Sequence, residues 1–266
     1  MILASYHTHT QFCDGKNTPK EMIEEAIRLG CAEIGFSAHA PLPFWNDFSM
    51  TEESARAYYE TLSALRERYK DRIRVLIGIE QDYFSTPPDA DYDYVIGSVH
   101  YVEKNGVYLA VDDTKEALRR AIDEYYGGDA LALAEDYYRL VGNLYEKTHC
   151  DVVGHFDLVT KFEECGVSVG SSTDRYIAAA NKALDALLST PVLFEINTGA
   201  IARGYRRESY PAPLFREKIA STGRPFVLNS DAHSTETLLF GIEKERAACD
   251  GKGYRYVTSF DAIKRK

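Results

Sequence analysis

Cysteine pairs, long apolar runs, basic excess and a serine-elbow motif are all missing from this sequence, and each absence removes a class of protein. The five cysteines, Cys13, Cys31, Cys150, Cys165 and Cys249, form no CxxC pair and are odd in number. Neither a zinc ribbon nor a complete disulfide framework is expected from them, and reduced thiols in a cytoplasmic protein are the expectation. No stretch approaches the ~18 apolar residues of a membrane-spanning helix. The start, MILASYHTHT, lacks a basic region followed by a long apolar core, so no secretory leader is expected. With 31 Lys+Arg against 41 Asp+Glu the formal net charge is −10. A surface of that sign repels phosphate backbones and offers no footprint for nucleic acid. GxSxG is absent, which argues against a serine nucleophile on a strand-to-helix elbow. No arginine-closed phosphate loop follows Cys13, which argues against a cysteine phosphatase. There is also no internal repeat and no Pro/Gly/Ser-rich linker in the 266 residues. Single α/β barrels run to about 250 residues, so one domain over 1–266 is expected.

What is present is a regular alternation. Apolar runs of strand length at Ile2–Tyr6, Glu33–Ser37, Ile73–Ile79, Tyr94–Val99, Asp151–Val153, Val192–Ile196 and Pro225–Asn229 are continuous rather than alternating, as in parallel strands buried on both faces. Segments of helical period lie between them: a helix opened by the capping box Thr18-Pro19-Lys20-Glu21 and closed by Gly30, then Thr51–Tyr69, Thr114–Tyr126, Asp129–Lys147, Thr173–Leu188, Ala212–Ser221 and Thr235–Ala248. Strand-helix alternation of this kind predicts an α/β fold on a parallel sheet, open or closed.

The histidines and carboxylates fall at recurring places in that pattern. His7 and His9 follow the first predicted strand, His39 the second, Glu80 the third, His100 the fourth and His155 the fifth. Asn197 ends the sixth, and Asp231 and His233 follow the seventh. In a parallel barrel all strand C-termini open on one face, where the active site lies, so residues far apart in sequence converge there. Imidazole with carboxylate suits Zn, Fe or Mn rather than Ca or Mg alone. His149 sits before a strand and is read as structural.

His7-Thr8-His9, the strand-end His39, Gly78-Ile79-Glu80, Gly97-Ser98-Val99-His100, Gly154-His155-Phe156-Asp157 and Ser230-Asp231-Ala232-His233 together resemble the signature of the PHP (polymerase and histidinol phosphatase) family, over essentially the whole span from His7 to His233. The resemblance implies a distorted seven-stranded (β/α)7 barrel with a trinuclear site at the strand C-termini. Three divalent transition-metal ions (Zn, Fe or Mn) are implied. His7, His9, Glu80 and Asp231 would hold one, Glu80, His100 and His155 a second, and Asp14, His39 and His233 a third. Some members carry His near position 14; Asp14, in Phe12-Cys13-Asp14-Gly15, looks like the histidinol-phosphatase variant of the motif. Three such ions bring +6 against −3 from Asp14, Glu80 and Asp231, so the pocket would attract a phosphate dianion inside an acidic protein.

The segment Glu195 to Arg207, followed by Tyr210-Pro211, resembles a stretch of histidinol phosphatases. Arg203 is the first candidate for the phosphate clamp, with Arg206 or Arg207 second, because a guanidinium fork binds two oxygens at once. Asn197 is a candidate to orient that loop or touch substrate, Lys161 stands where the family commonly has lysine, and Trp45 leads the aromatic residues that could contact or shield a substrate ring. Asp14, His39 and His233 are the candidates to supply the proton to a leaving alkoxide. The reaction implied is metal-dependent hydrolysis of a small phosphate monoester, first of all L-histidinol phosphate. The alternatives are another small phosphate, a phosphotyrosine protein, a nuclease-like module or a non-catalytic metal-binding domain.

Overall fold

The computed structural model describes residues 4–44 and 46–263. The first helix, α1 (Pro19–Arg28), starts where Thr18 and Glu21 cap each other reciprocally and proline stands in the first turn, which satisfies two backbone N–H groups that a helix start leaves open. Then follow β1 (Glu33–Phe36), α2 (Glu52–Tyr69), β2 (Arg74–Asp82), β3 (Tyr94–Ser98), a hairpin of β4 (Tyr101–Lys104) and β5 (Val107–Ala110), α3 (Lys115–Tyr125), α4 (Ala130–Gly142), α5 (Leu144–Thr148), β6 (Val152–Val153), α6 (Asp174–Leu188), β7 (Leu193–Asn197), the single turn α7 (Gly199–Ala202), α8 (Pro213–Ser221), β8 (Phe226–Asn229) and α9 (Ile242–Lys252).

Six strands form one sheet in the order β1-β2-β3-β6-β7-β8, and every neighbouring pair is parallel. The strands are almost wholly buried, as their continuous apolar runs require once helices cover one face and the sheet curls over the other. The curl is visible at the edges. The segment from Ser5 to His9 lies between β1 and β8: its carbonyls at Ser5 and Thr8 accept from the N–H of Gly35 (2.9 Å) and Ser37 (3.0 Å). On its other side the N–H of His9 donates to the carbonyl of Ala232 (2.8 Å), and Thr8 bridges Ala232 in parallel. Inside the curl pack Tyr6, Leu76, Tyr94, Ile96, Val152 and Val227.

Several sequence expectations change here. Seven strands were expected and the sheet has six among the described residues. Ile2 and Leu3 of the first expected strand lie outside them, and the remainder crosses its neighbours through isolated contacts rather than a regular ladder. The hairpin was not expected, although Asn105-Gly106 is a strong signal for one: both residues have positive φ (54° and 80°), the geometry of a two-residue turn that matches strand twist. The expected helix Asp129–Lys147 is broken at Gly142-Asn143, two weak helix formers, into α4 and α5. The last helix begins at Ile242 rather than Thr235, because Gly241 sits in the left-handed region (φ 75°) and cannot continue a helix from the short turn Thr235–Thr237. Among the described residues no helix is long and apolar enough to cross a membrane.

Candidate metal centre

Because the strands are parallel, their C-terminal ends share one rim. The segment before α1 brings His7, His9 and Asp14 to it, and residues just past β1, β3, β6 and β8 bring His39, His100, His155, and Asp231 with His233. Glu80 stands within β2 rather than after it, since that strand runs on to Asp82. All nine side chains come within reach of one another in overlapping groups. His7 Nε2 lies 3.1 Å from Glu80 Oε2 and 3.7 Å from Asp231 Oδ1; His9 Nε2 lies 3.5 Å and 3.3 Å from the same two atoms. The second oxygen of Glu80 turns the other way, 3.0 Å from His155 Nε2 and 3.4 Å from His100 Nε2. At the third corner Asp14 sits 3.2 Å from His233 Nε2 and 3.8 Å from His39 Nε2.

These residues suit cations on two counts. Four ligand atoms about 2.0–2.1 Å from a tetrahedral zinc are about 3.3–3.4 Å apart, close to the spacing of the first group. Second, the buried atoms His7 Nε2, His9 Nε2 and Glu80 Oε2 have no hydrogen-bond partner, although buried polar atoms almost always have one. A divalent ion is a partner all three could share.

The ionisation states agree with that. Burial pushes the carboxyls of Glu80 and Asp231 up, yet histidines around Glu80, and Arg203 with histidines around Asp231, hold both well below the usual carboxylate range. Asp14 is likewise lowered, by His39, His233 and His9 against the effect of burial. His9 is held down to about 3 by burial and by the neighbouring His233 and His39, so it is a neutral ring able to ligate. His7 goes the other way: Glu195, Glu80 and Asp231 outweigh burial and raise it. The carboxylates call for positive charge at this place, and a proton on His7 or a metal ion answers the same demand.

Sequence reasoning missed the groups behind this rim. Glu195 is fully buried in β7 and receives four hydrogen bonds, one of them from His7. Asp82 takes the backbone N–H of His100 (2.7 Å) and faces its Nδ1 (3.2 Å). Ser98 donates to Glu80 Oε1 (2.6 Å), and Cys13 Sγ lies 3.4 Å from His9 Nδ1. The available signal was period two: Asp82 follows Glu80 by two residues and Glu195 precedes Asn197 by two, so each pair shares one face of its strand.

A cavity of about 610 Å³ opens on the rim and is lined by Asp14, His39, His100, His155, Arg203 and His233 among others. Arg203 reaches it from the C-cap of α7. Its Nη2 donates to Asp231 Oδ2 (2.9 Å) and its Nη1 lies 2.9 Å from His233 Nδ1, while 32% of the side chain stays exposed. Lys161 also lines the cavity and donates to the carbonyl of Asp112 (2.6 Å) and to its carboxylate (3.2 Å). The other substrate-side candidates are placed elsewhere. Arg206 donates to Thr160 Oγ1 and lies over the Tyr210 ring, 4.4 Å from its centroid. Arg207 is 93% exposed beside Glu164, and neither lines the cavity. Both follow Gly204, which takes a positive φ of 76°. Asn197 is buried, donating to Glu195 and accepting the Gly199 N–H; it shapes the turn into α7. Trp45 lies outside the described residues. Of the aromatic residues in and after that loop, Phe48 makes a T-shaped contact with His39 (4.8 Å between centroids), and Phe44 stacks on Tyr108 of the unexpected hairpin (4.1 Å). His149 is exposed, caps α5 in the left-handed region and stands apart from the rim.

Gly199 shows how tightly the rim is built. A methyl group there would fall 2.6 Å from Asp231 Oδ2 and 3.0 Å from Arg203 Nη2. Gly199→Ala is therefore expected to push the Arg203–Asp231 pair apart and lower kcat/KM by roughly 10-fold or more, since an ångström of misplacement at a reacting centre costs up to ~10². Steady-state kinetics beside a melting curve checks this. Wild-type kinetics would show that the pair can shift without consequence.

A parallel α/β sheet that gathers imidazoles and carboxylates at one rim is a recurrent build for metal-dependent hydrolases. Residues 5–199 match the model of the PHP domain family, and the chain belongs to that family. It is 32% identical over 245 residues to a Deinococcus radiodurans protein named "Probable histidinol-phosphatase", covering 87% of this chain and 86% of that one. It is 26% identical to the histidinol-phosphatase of Bacillus subtilis, covering 91% and 98%. Among solved structures, the histidinol phosphate phosphatase of Lactococcus lactis, complexed with zinc, L-histidinol and phosphate, superposes with a TM-score of 0.70 at 23% identity over 98% of this chain and 97% of that one, a likeness of fold.

Proposed function

We propose that this chain is a divalent-metal-dependent phosphatase that hydrolyses L-histidinol phosphate to L-histidinol and phosphate, a step of histidine biosynthesis in the cytoplasm. The observation that carries the reading is the convergence of nine imidazole and carboxylate side chains on the cavity rim, in a chain whose relatives are named for this activity. In this reading residues 1–266 are one domain, and the segment from Ser5 to His9 is the seventh stave that closes a distorted barrel.

His7, His9, Glu80 and Asp231 would hold one ion, Glu80 with His100 and His155 a second, and Asp14, His39 and His233 a third. Ions held so close together supply Lewis-acid neutralisation of phosphoryl charge and make water at the site more acidic. The chain's own groups do the rest. His233 Nδ1 lies 3.0 Å from the Asp231 carbonyl as well as 2.9 Å from Arg203 Nη1. A ring nitrogen cannot donate to one and accept from the other. If His233 ligates through Nε2, its Nδ1 carries the proton and donates to the carbonyl. Arg203 Nη1 then loses that acceptor and turns to the phosphoryl oxygens, while Nη2 stays anchored on Asp231. Asp14, His39 and His233 line the same cavity and would face the leaving oxygen. Lys161, ion-paired with Asp112, sets a fixed ammonium donor in the wall.

Phosphate release by metal-loaded protein tests the substrate. kcat/KM for L-histidinol phosphate is expected to exceed that for sugar and nucleotide monophosphates by well over ~100-fold, because a site that pairs its polar groups with one substrate rejects those that leave them unpaired. Similar rates across the panel would assign the protein to a general phosphoesterase instead.

A further inference from the structure

Glu195 has no place among the nine candidate ligands, yet it is the most heavily hydrogen-bonded carboxylate behind them. Its Oε2 receives His7 Nδ1 (2.9 Å) and Asn229 Nδ2 (2.8 Å); its Oε1 receives the backbone N–H of His155 (2.7 Å) and Asn197 Nδ2 (2.8 Å). The side chain is fully enclosed. An ionised carboxylate has about four acceptor positions, and here all four are filled. A neutral carboxylic acid would have to point its proton at a donor, so the environment is built for the anion.

We propose that Glu195 is a positioning residue that fixes His7 as the tautomer protonated on Nδ1. That leaves Nε2 as a lone pair aimed at Glu80 and Asp231, and it ties His7 and His155 to one anchor. The other donors give the proposal its force. The backbone N–H of His155 cannot become an acceptor, and Asn229 is held in its orientation because its Oδ1 accepts the Tyr6 N–H (2.9 Å). His7 is the only partner able to reverse its role. The carboxylate therefore dictates the tautomer, as carboxylates behind metal-bound histidines generally do. This inference rests on the metal reading above.

The test pairs a variant with a measurement on the unaltered chain. In Glu195→Gln the amide group has to face one side of the old carboxylate. On the His155 side it meets only donors, so it turns to His7 and donates to Nδ1, which moves the ring proton to Nε2. Zinc affinity, measured by competition with a chromophoric chelator, is expected to fall by about 10- to 100-fold for one class of site, the range typical when the support of a metal-bound histidine is lost. The visible spectrum of the cobalt-loaded variant should change with it. In the zinc-loaded wild type, long-range ¹H–¹⁵N spectra should show His7 protonated on Nδ1. Wild-type zinc affinity and an unchanged cobalt spectrum in Glu195→Gln would overturn the proposal. So would a wild-type His7 protonated on Nε2, and that measurement decides the matter even if the variant does not fold. A wild-type chain that takes up no zinc while His7 still reads as Nδ1-protonated would instead defeat the metal reading and leave the tautomer assignment standing.

Discussion

Replacing Glu80 by glutamine is expected to strip more metal from the protein than any other single change, and to lower turnover by more than about 10³-fold, beyond the ~10–100-fold seen when only the support of a ligand is lost. The reason is geometric. Its two oxygens face different groups, one toward His7 and His9, the other toward His155 and His100. Glutamine keeps the volume but offers one oxygen and an amide nitrogen that cannot ligate, so one side is lost whichever way it turns. It also removes the negative charge that faces this ring of histidines. Elemental analysis of the purified variant, with circular dichroism to verify the fold, measures the effect directly. His149→Ala is the matched control: this exposed histidine lies away from the rim, so metal content and turnover should stay at wild type. Full metal content in Glu80→Gln would refute the bridging role.

The second large effect is expected at Arg203. Arg203→Ala should lower kcat/KM by roughly 10²–10³, the cost of removing one preorganised donor from a developing charge. Its guanidinium is held at one end by Asp231 Oδ2, so it is in place before substrate arrives. Part of its contact should strengthen as charge spreads over the phosphoryl oxygens. Arg203→Lys should recover only part of the loss, since an ammonium cannot match two oxygens with a planar fork. Neither variant removes a candidate ligand, so both should still load metal. Wild-type kcat/KM in Arg203→Ala would show that the clamp lies elsewhere. Arg206 and Arg207 are then poor substitutes, because one is spent on Thr160 and Tyr210 and the other points to solvent.

What could be read from the sequence follows the physics of each signal. Parallel buried strands announce themselves by continuous apolar runs, so six of the seven expected strands stand where the pattern put them, within a few residues. The histidines and carboxylates were legible for a related reason: strand ends in a parallel sheet share one rim, so position along the chain stood in for position in space. Of the first expected strand, Ile2 and Leu3 lie outside the described residues, and the segment from Ser5 to His9 bridges the two edges without a regular ladder. The hairpin of β4 and β5 was overlooked because its signal, Asn105-Gly106, is local and antiparallel, whereas the pattern sought was parallel and long-range. Arg203 could be ranked ahead of Arg206 and Arg207, but that Arg206 packs on Tyr210 and Arg207 faces solvent depends on contacts the sequence does not display. Glu195 and Asp82 were hidden because a carboxylate inside a strand reads as an interruption of the apolar run until the histidine it holds is known.

The most direct test of the whole account is metal removal and return with L-histidinol phosphate as substrate. The purified protein should carry two to three equivalents of transition metal, an expectation that rests on the nine converging side chains. A strong chelator should abolish phosphate release, and reloading with zinc or manganese should restore it. Protein shown by elemental analysis to be free of metal, yet releasing phosphate at the full rate, would contradict the account.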